Sequence, residues 1–338
     1  MEECLAGARS GSAGAVVLLG EPGIGKTRLL GELCVRAGEA GLDVLAGRGS
    51  ELEREVPFGM VVEALDERFA SFDQRVVMAL GADRMAELAA VLPSLSEVGR
   101  QPTSRLEVER FEFHRAVRAA FEQLALSKPL MLALDDAHWA DPASAELIGH
   151  LLRRPVPGMM LALAYRPRQA PRLLRDAVAQ AAREGMLREL ELAPLSLAET
   201  AEALGERPDS PYIRALHSES GGNPFYLEQL ARCARKRLPI LRSGDGSDSE
   251  HDTGVSVALR ITITQELANL PSEALKVLQA GAVAGDPFDV DLVTAIAESD
   301  EKRVLKSLDD LVVVDLVRPT ATPGQFRFRH PIVRRVVY

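Results

Sequence analysis

Short apolar runs alternate along this chain with longer stretches in which apolar residues recur every three or four positions. Residues 15–19 form a run rich in β-branched side chains and predict a strand. Apolar residues at 29, 30, 33, 34 and 37 then predict a helix over residues 28–40. Residues 42–46 read as a second strand. Residues 51–92 mix charge with helical spacing, as in Val61, Val62, Leu65 and Phe69, and 93–103 read as a loop. A long helix is expected over 105–126, with Phe113, Val117, Ala120, Phe121 and Leu124 on one face. Residues 130–134 are continuously apolar, as in a strand buried on both faces. Asp141-Pro142 has the form of a helix cap, with Leu147, Ile148, Leu151 and Leu152 facing inward. Residues 159–165 and 187–192 complete the predicted strands. Strands alternating with helices imply a mostly parallel sheet covered on both faces.

The pattern changes near residue 194. Helices are expected over 197–204, 212–217 and 226–235, with Gly221-Gly222-Asn223-Pro224 between the last two. Residues 243–254 carry no large apolar side chain and read as a linker. Beyond it, 273–283, 290–297 and 302–311 predict three helices, and 312–317 and 325–328 two strands around the turn at 322–324. Three helices with a two-stranded wing suggest a winged helix. A final helical stripe, Ile332, Val333, Val336 and Val337, runs out at Tyr338 without a capping residue, which predicts a chain cut inside a helix. The expected organisation is an α/β domain at 1–193, a helical lid at 194–242, a linker at 243–256 and a winged helix at 257–338.

The net charge of −9 argues against a dominant nucleic-acid surface. Residues 257–338 hold ten Lys or Arg against eleven Asp or Glu, so direct DNA binding by this segment is not expected. Cys4, Cys34 and Cys233 have no metal-ligand spacing, and a reduced cytoplasmic protein is the simple reading. No apolar run reaches the length of a membrane span, and no membrane association is expected.

The chemistry concentrates between the first strand and its helix. Gly20-Glu21-Pro22-Gly23-Ile24-Gly25-Lys26-Thr27 fits the pattern Gly, four residues, Gly-Lys-Thr. The glycines let the backbone curl its N–H groups toward an anion, and the following helix adds the positive end of its dipole. Lys26 is expected to reach the β- and γ-phosphates of a nucleotide, and the Thr27 hydroxyl to ligate Mg²⁺. Residues 20–27 and the following Arg28 are the expected nucleotide contacts.

The second anchor is Asp135-Asp136, roughly 110 residues further on and at the end of an apolar strand. Strand C-termini line the ligand crevice of parallel sheets. Asp135 is the candidate Mg²⁺ residue and Asp136 the candidate to polarise an attacking water. Arg166 ends the strand at 159–165, where an arginine can meet a γ-phosphate; a surface arginine is the alternative.

In order, GEPGIGKTRLL, LALDDAHWAD, SGGNPFYLEQL and FRFRHPIVRRVVY resemble the signal-transduction ATPases with numerous domains, a branch of the AAA-related P-loop proteins. They resemble most the ATPase region of large ATP-binding LuxR-type transcription regulators. The resemblance implies an α/β P-loop NTPase fold and a switch that ADP holds closed and ATP, with an unknown inducer, opens for self-association. It carries ATP/ADP and Mg²⁺ as cofactors and Arg166 as γ-phosphate sensor. It also makes Pro224 the lid proline near the adenine, and His330 a residue that faces the β-phosphate. Among the departures from it, two bear on the nucleotide site. The Gly-Arg-containing segment that usually helps enclose the adenine is missing before residue 15. Asp136 stands where true motors carry glutamate, so slow hydrolysis by a weak Mg-dependent ATPase is expected. An AAA-type remodelling motor and, behind it, a P-loop kinase are the alternatives. An ABC ATPase would need its signature before the acidic strand, and a GTPase an Asn-Lys-x-Asp base reader.

Overall fold

The computed structural model describes residues 2–71, 74–95, 106–237 and 257–338. The expected linker at 243–256 and residues 96–103 of the expected loop lie outside them. The chain divides into two compact units, residues 1–192 and 193–338.

The first unit is built on five parallel strands, β1 (Gly14–Leu19), β2 (Asp43–Arg48), β3 (Leu130–Asp135), β4 (Met159–Tyr165) and β5 (Arg188–Glu191). Their order across the sheet is β2-β3-β4-β1-β5. β3 and β4 are buried at every position, which is why they read as unbroken apolar runs. Alternate side chains serve two cores. Val16, Leu18, Met131, Ala133, Met160 and Ala162 pack with Leu30 and Leu33. Those two leucines belong to α2 (Lys26–Glu39), and Leu5 and Ala8 of α1 (Glu2–Arg9) join the same core. Val17, Leu132, Leu134, Leu161 and Leu163 face the opposite core, whose helices are α3 (Gly59–Ala70), α4 (Gln74–Ala89), α5 (Leu106–Ser127), α6 (Pro142–Arg153) and α7 (Arg172–Arg183). Each fully buried Leu or Val contributes about 1.5–3 kcal/mol, so a doubly covered sheet makes a rigid platform.

Residues 2–9, for which the apolar pattern sets no expectation, are helical, with Leu5 and Ala8 burying one face. β2 continues two residues past 46, to Arg48, level with Asp135 of β3.

The second unit contains α8 (Leu197–Leu204), α9 (Pro211–Ser220), α10 (Pro224–Arg237), α11 (Val257–Ala268), α12 (Ser272–Ala284), α13 (Val290–Ala297), α14 (Glu301–Val313) and α15 (Pro331–Val337). β6 (Phe288–Asp289), β8 (Gln325–Phe328) and β7 (Val317–Pro319) form a small antiparallel sheet in that order. Its core gathers Leu216, Leu227, Leu278, Leu308, Phe288 and Phe328. Residues 312–317 are not the expected strand. α14 continues to Val313 because Val304, Leu308 and Leu311 keep one helical stripe buried. Val313 and Val314 are instead exposed, and Asp315, left-handed at φ 57°, turns the chain into β7. α11 was not foreseen, since its Ile-Thr-Ile-Thr run is β-branched and carries little helical signal.

Candidate functional site

The C-terminal edge of the first unit's sheet brings four of the expected residues to one level. Leu19 of β1 is in register with Tyr165 of β4, so Gly20 and Arg166 leave neighbouring strands side by side. β3 ends beside β4 and delivers Asp135 and Asp136. Thus the phosphate loop, the acidic pair and Arg166 all leave the same edge of the sheet.

The loop's backbone makes the cradle. Gly25, at φ 105°, is the N-cap of α2 and supplies no side-chain cap. The first N–H groups of a helix have no carbonyl partner within it, so this end can receive an anion. A Cβ on Gly25 would meet nothing within 4 Å, so the left-handed backbone, and not crowding, calls for glycine there. Ile24 is buried and Pro22 and Glu21 half-buried, while Thr27 and Arg28 are exposed. Lys26 is buried, and its Nζ donates to Gly20 O at 2.9 Å and Glu21 O at 2.8 Å. Burial first, then the Arg166 charge, pulls its pKa down to about 8. The ammonium rests on two carbonyls with the Asp135, Asp136 and Glu21 charges nearby, and a phosphate at the helix end would accept from its remaining N–H. The residues therefore fit a nucleotide phosphate, with Thr27 and Asp135 oxygens available for Mg²⁺.

Asp135 is buried, and its Oδ1 accepts from Asp136 N at 2.9 Å. Asp136 is left-handed at φ 48°. Its Oδ2 accepts from Arg48 Nε at 3.0 Å and Nη2 at 2.7 Å, and this side-chain hydrogen bonding raises the Arg48 pKa. Arg48 was not anticipated: the apolar run of β2 had ended by sequence at residue 46. Arg166 Nη1 donates to Gln169 Oε1 at 3.2 Å.

His138 was also missed. It is fully buried, and both ring nitrogens lack a hydrogen-bond partner among the described residues. Its Nδ1 lies 3.9 Å from Asp136 Oδ1, and its ring packs on Trp139 at 5.0 Å. Burial, then the Arg166 charge, lowers its pKa from 6.5 to about 3. The folded chain therefore holds His138 neutral, while the unfolded chain takes up that proton below 6.5. The unfolded state binds more protons in that window, so stability is full above it and falls as pH drops, by up to about 1.4 kcal/mol per pH unit. His150, lowered chiefly by burial, adds in the same direction. Urea unfolding at pH 7 and pH 5 is expected to show this loss, and His138→Phe to flatten it. An unchanged slope in the variant would remove His138 as its source.

Pro224 and His330 belong to the second unit. Pro224 opens α10 after Asn223, whose Oδ1 accepts from Phe225 N at 3.1 Å. His330 is the N-cap of α15: its Nδ1 accepts from Ile332 N at 3.2 Å, and its ring lies tilted against Tyr226 with centroids 4.1 Å apart.

Residues 1–166 match the family model described as AAA ATPase domain, a span that runs from before the phosphate loop to Arg166. The match supports a P-loop ATPase domain in this stretch. An uncharacterised protein of Rhizobium meliloti (strain 1021), R02095, is 25% identical over 374 aligned residues, covering 98% of this chain and 33% of the relative. The chain thus spans about a third of that relative's length. Among solved structures, a single-residue variant of Thermotoga maritima RuvB aligns at 14% identity and TM-score 0.44, covering 100% of this chain and 92% of its own. The signal-transduction ATPase PH0952 of Pyrococcus horikoshii, with a tetratricopeptide repeat sensor, aligns at 16% and 0.41, covering 100% and 42%. AMPPCP-bound DnaA of Aquifex aeolicus aligns at 14% and 0.42, covering 92% and 85%. Nucleotide binding, typically Mg-dependent, is what the AAA ATPase family implies for the domain. No helix among the described residues is long and apolar enough to cross a membrane.

Proposed function

We propose that this chain is the ATP/ADP-binding switch module of a signal-transduction ATPase, part of a LuxR-type transcription regulator, with slow Mg-dependent hydrolysis. The observation that carries it is the buried Lys26 ammonium, held on two loop carbonyls at the uncapped end of α2, with both aspartates at the same sheet edge. Gly20 to Arg28 bind the phosphates, and Thr27 and Asp135 hold Mg²⁺, which neutralises charge on the β- and γ-phosphates when bound. Asp136 orients water, and Arg166 contacts the γ-phosphate. The Arg48 pair favours a switch over a motor, because it holds the Asp136 carboxylate on another partner. Residues 194–242 act as lid and 257–338 as a winged helix that packs rather than reads DNA. Self-association follows ATP binding in the cytoplasm, under an inducer of unknown kind. Calorimetry with Mg-ATP and Mg-ADP tests the reading, together with steady-state turnover. Failure to bind either nucleotide overturns it, and sustained turnover near ~10 s⁻¹ would favour the motor.

Under this reading Pro224 lies near the adenine and His330 faces the β-phosphate. His330 also caps α15, so alanine would remove a cap worth about 0.5–2 kcal/mol whatever else it does. His330→Asn keeps a cap acceptor and removes the imidazole. It is expected to weaken ADP binding about tenfold more than ATP binding, a difference of about 1.4 kcal/mol. Equal affinities, or a lower melting temperature alone, would leave His330 as a cap.

A further inference from the structure

Residues 49–58 leave β2 and run beside residues 135–141, which leave β3. The two segments are fastened at successive points. Gly49 N donates to Asp135 O at 2.9 Å, and a Cβ at Gly49 would collide with Asp136 O. Just before it, Arg48 holds the Asp136 carboxylate. The Arg54 guanidinium lies over the Trp139 ring, 5.9 Å from its centroid. Phe58 N donates to Asp141 Oδ1 at 3.0 Å, the same oxygen that caps α6. Each segment also holds a residue other than glycine in the left-handed region, Asp136 at φ 48° and Phe58 at φ 62°. Such conformations persist only where their surroundings enforce them, and they concentrate where a structure switches.

Between the fastenings the first segment is lightly held. Leu52 is 95% exposed, and an open cavity of about 610 Å³ borders Arg54, Glu55, Pro57, Asp141 and Pro171. We propose that residues 49–58 are a strap that positions Asp136, and that Arg54 and Trp139 are its surface clasp. When Asp136 leaves Arg48 for the nucleotide site, the strap shifts and the clasp opens. The inference rests on the nucleotide reading of residues 20–28. The strap gives the site an outlet on the surface, because a change at the carboxylate must move residues that solvent can reach.

Trp139 is the chain's one tryptophan, so its emission reports the clasp directly. The experiment records that emission in the full chain with no nucleotide, with Mg-ADP and with a non-hydrolysable ATP analogue, and measures affinity on the same samples. The wild type is expected to show different emission with the two nucleotides. Arg54→Ala is expected to lose this difference, bind both nucleotides as the wild type does, and raise kcat about two- to fivefold at unchanged KM, the size of an exposed cation–π contact. Arg54→Lys, which keeps a cation over the ring, is expected to restore both. Binding with silent tryptophan emission overturns the strap and leaves the nucleotide reading standing. So does an Arg54→Ala variant with unchanged or lowered kcat. A wild type that binds neither nucleotide overturns both.

Discussion

Lys26→Ala is expected to weaken ATP and ADP binding at least about a hundredfold, near 2.7 kcal/mol. The ammonium is buried, charged below about pH 8, and held in the loop by Gly20 O and Glu21 O. Hydrogen bonds to charged groups contribute roughly 1.5–3 kcal/mol each, and the amine's third N–H is left for the nucleotide. Alanine removes the charge together with the donors. The fold should survive, since the loop's shape rests on left-handed glycines and on Ile24, which is buried under it. Lys26→Gln keeps a donor on a shorter stem without charge and should fall between wild type and alanine. Calorimetry with both nucleotides and a melting curve for each variant make the check. Equal affinity in wild type and Lys26→Ala would remove the phosphate role from this lysine.

β3 and β4 were legible because they are buried on both faces, so period and length left little choice there. The phosphate loop was legible for a different reason. It needs particular residue types at fixed spacing within one short stretch, and its strand and helix flank it directly. Arg48 and His138 were not legible. Arg48 matters only because β2 lies next to β3 in the sheet, and strand order is not written in local periodicity. His138 lies in a run, Ala137-His138-Trp139, that reads as a turn; its burial comes from the packing of distant elements. The misread strand at 312–317 has the same origin. Val312, Val313 and Val314 prefer extended backbone, and the buried stripe of α14 overrides that preference. Sequence thus showed which groups carry the chemistry, while neighbour relations across the sheet decided what holds them.

Asp136→Asn is expected to lower kcat about 10²- to 10⁴-fold, the usual contribution of a general base, with nucleotide affinity changed little. Asparagine tolerates the left-handed backbone at this position, so the turn into residues 137–139 should keep its shape. The amide cannot take a proton from water, so the loss falls on the chemical step. A variant that hydrolyses ATP as fast as the wild type would end the base assignment. Arg48 then separates two uses of the carboxylate. If the Arg48 pair withholds Asp136 at rest, Arg48→Met should raise kcat, because the carboxylate loses its competing partner. If Arg48 instead orients Asp136 for reaction, the same change should lower kcat. Either effect should shrink sharply in the Asp136→Asn background, since Arg48 would lose its hydrogen-bonded charged partner and keep only the weaker Asp135 and Glu63 charges. An Arg48 effect that persists at full size in the double variant would mean that the arginine reaches the nucleotide by another route, and that the pair in the structure does not set the rate.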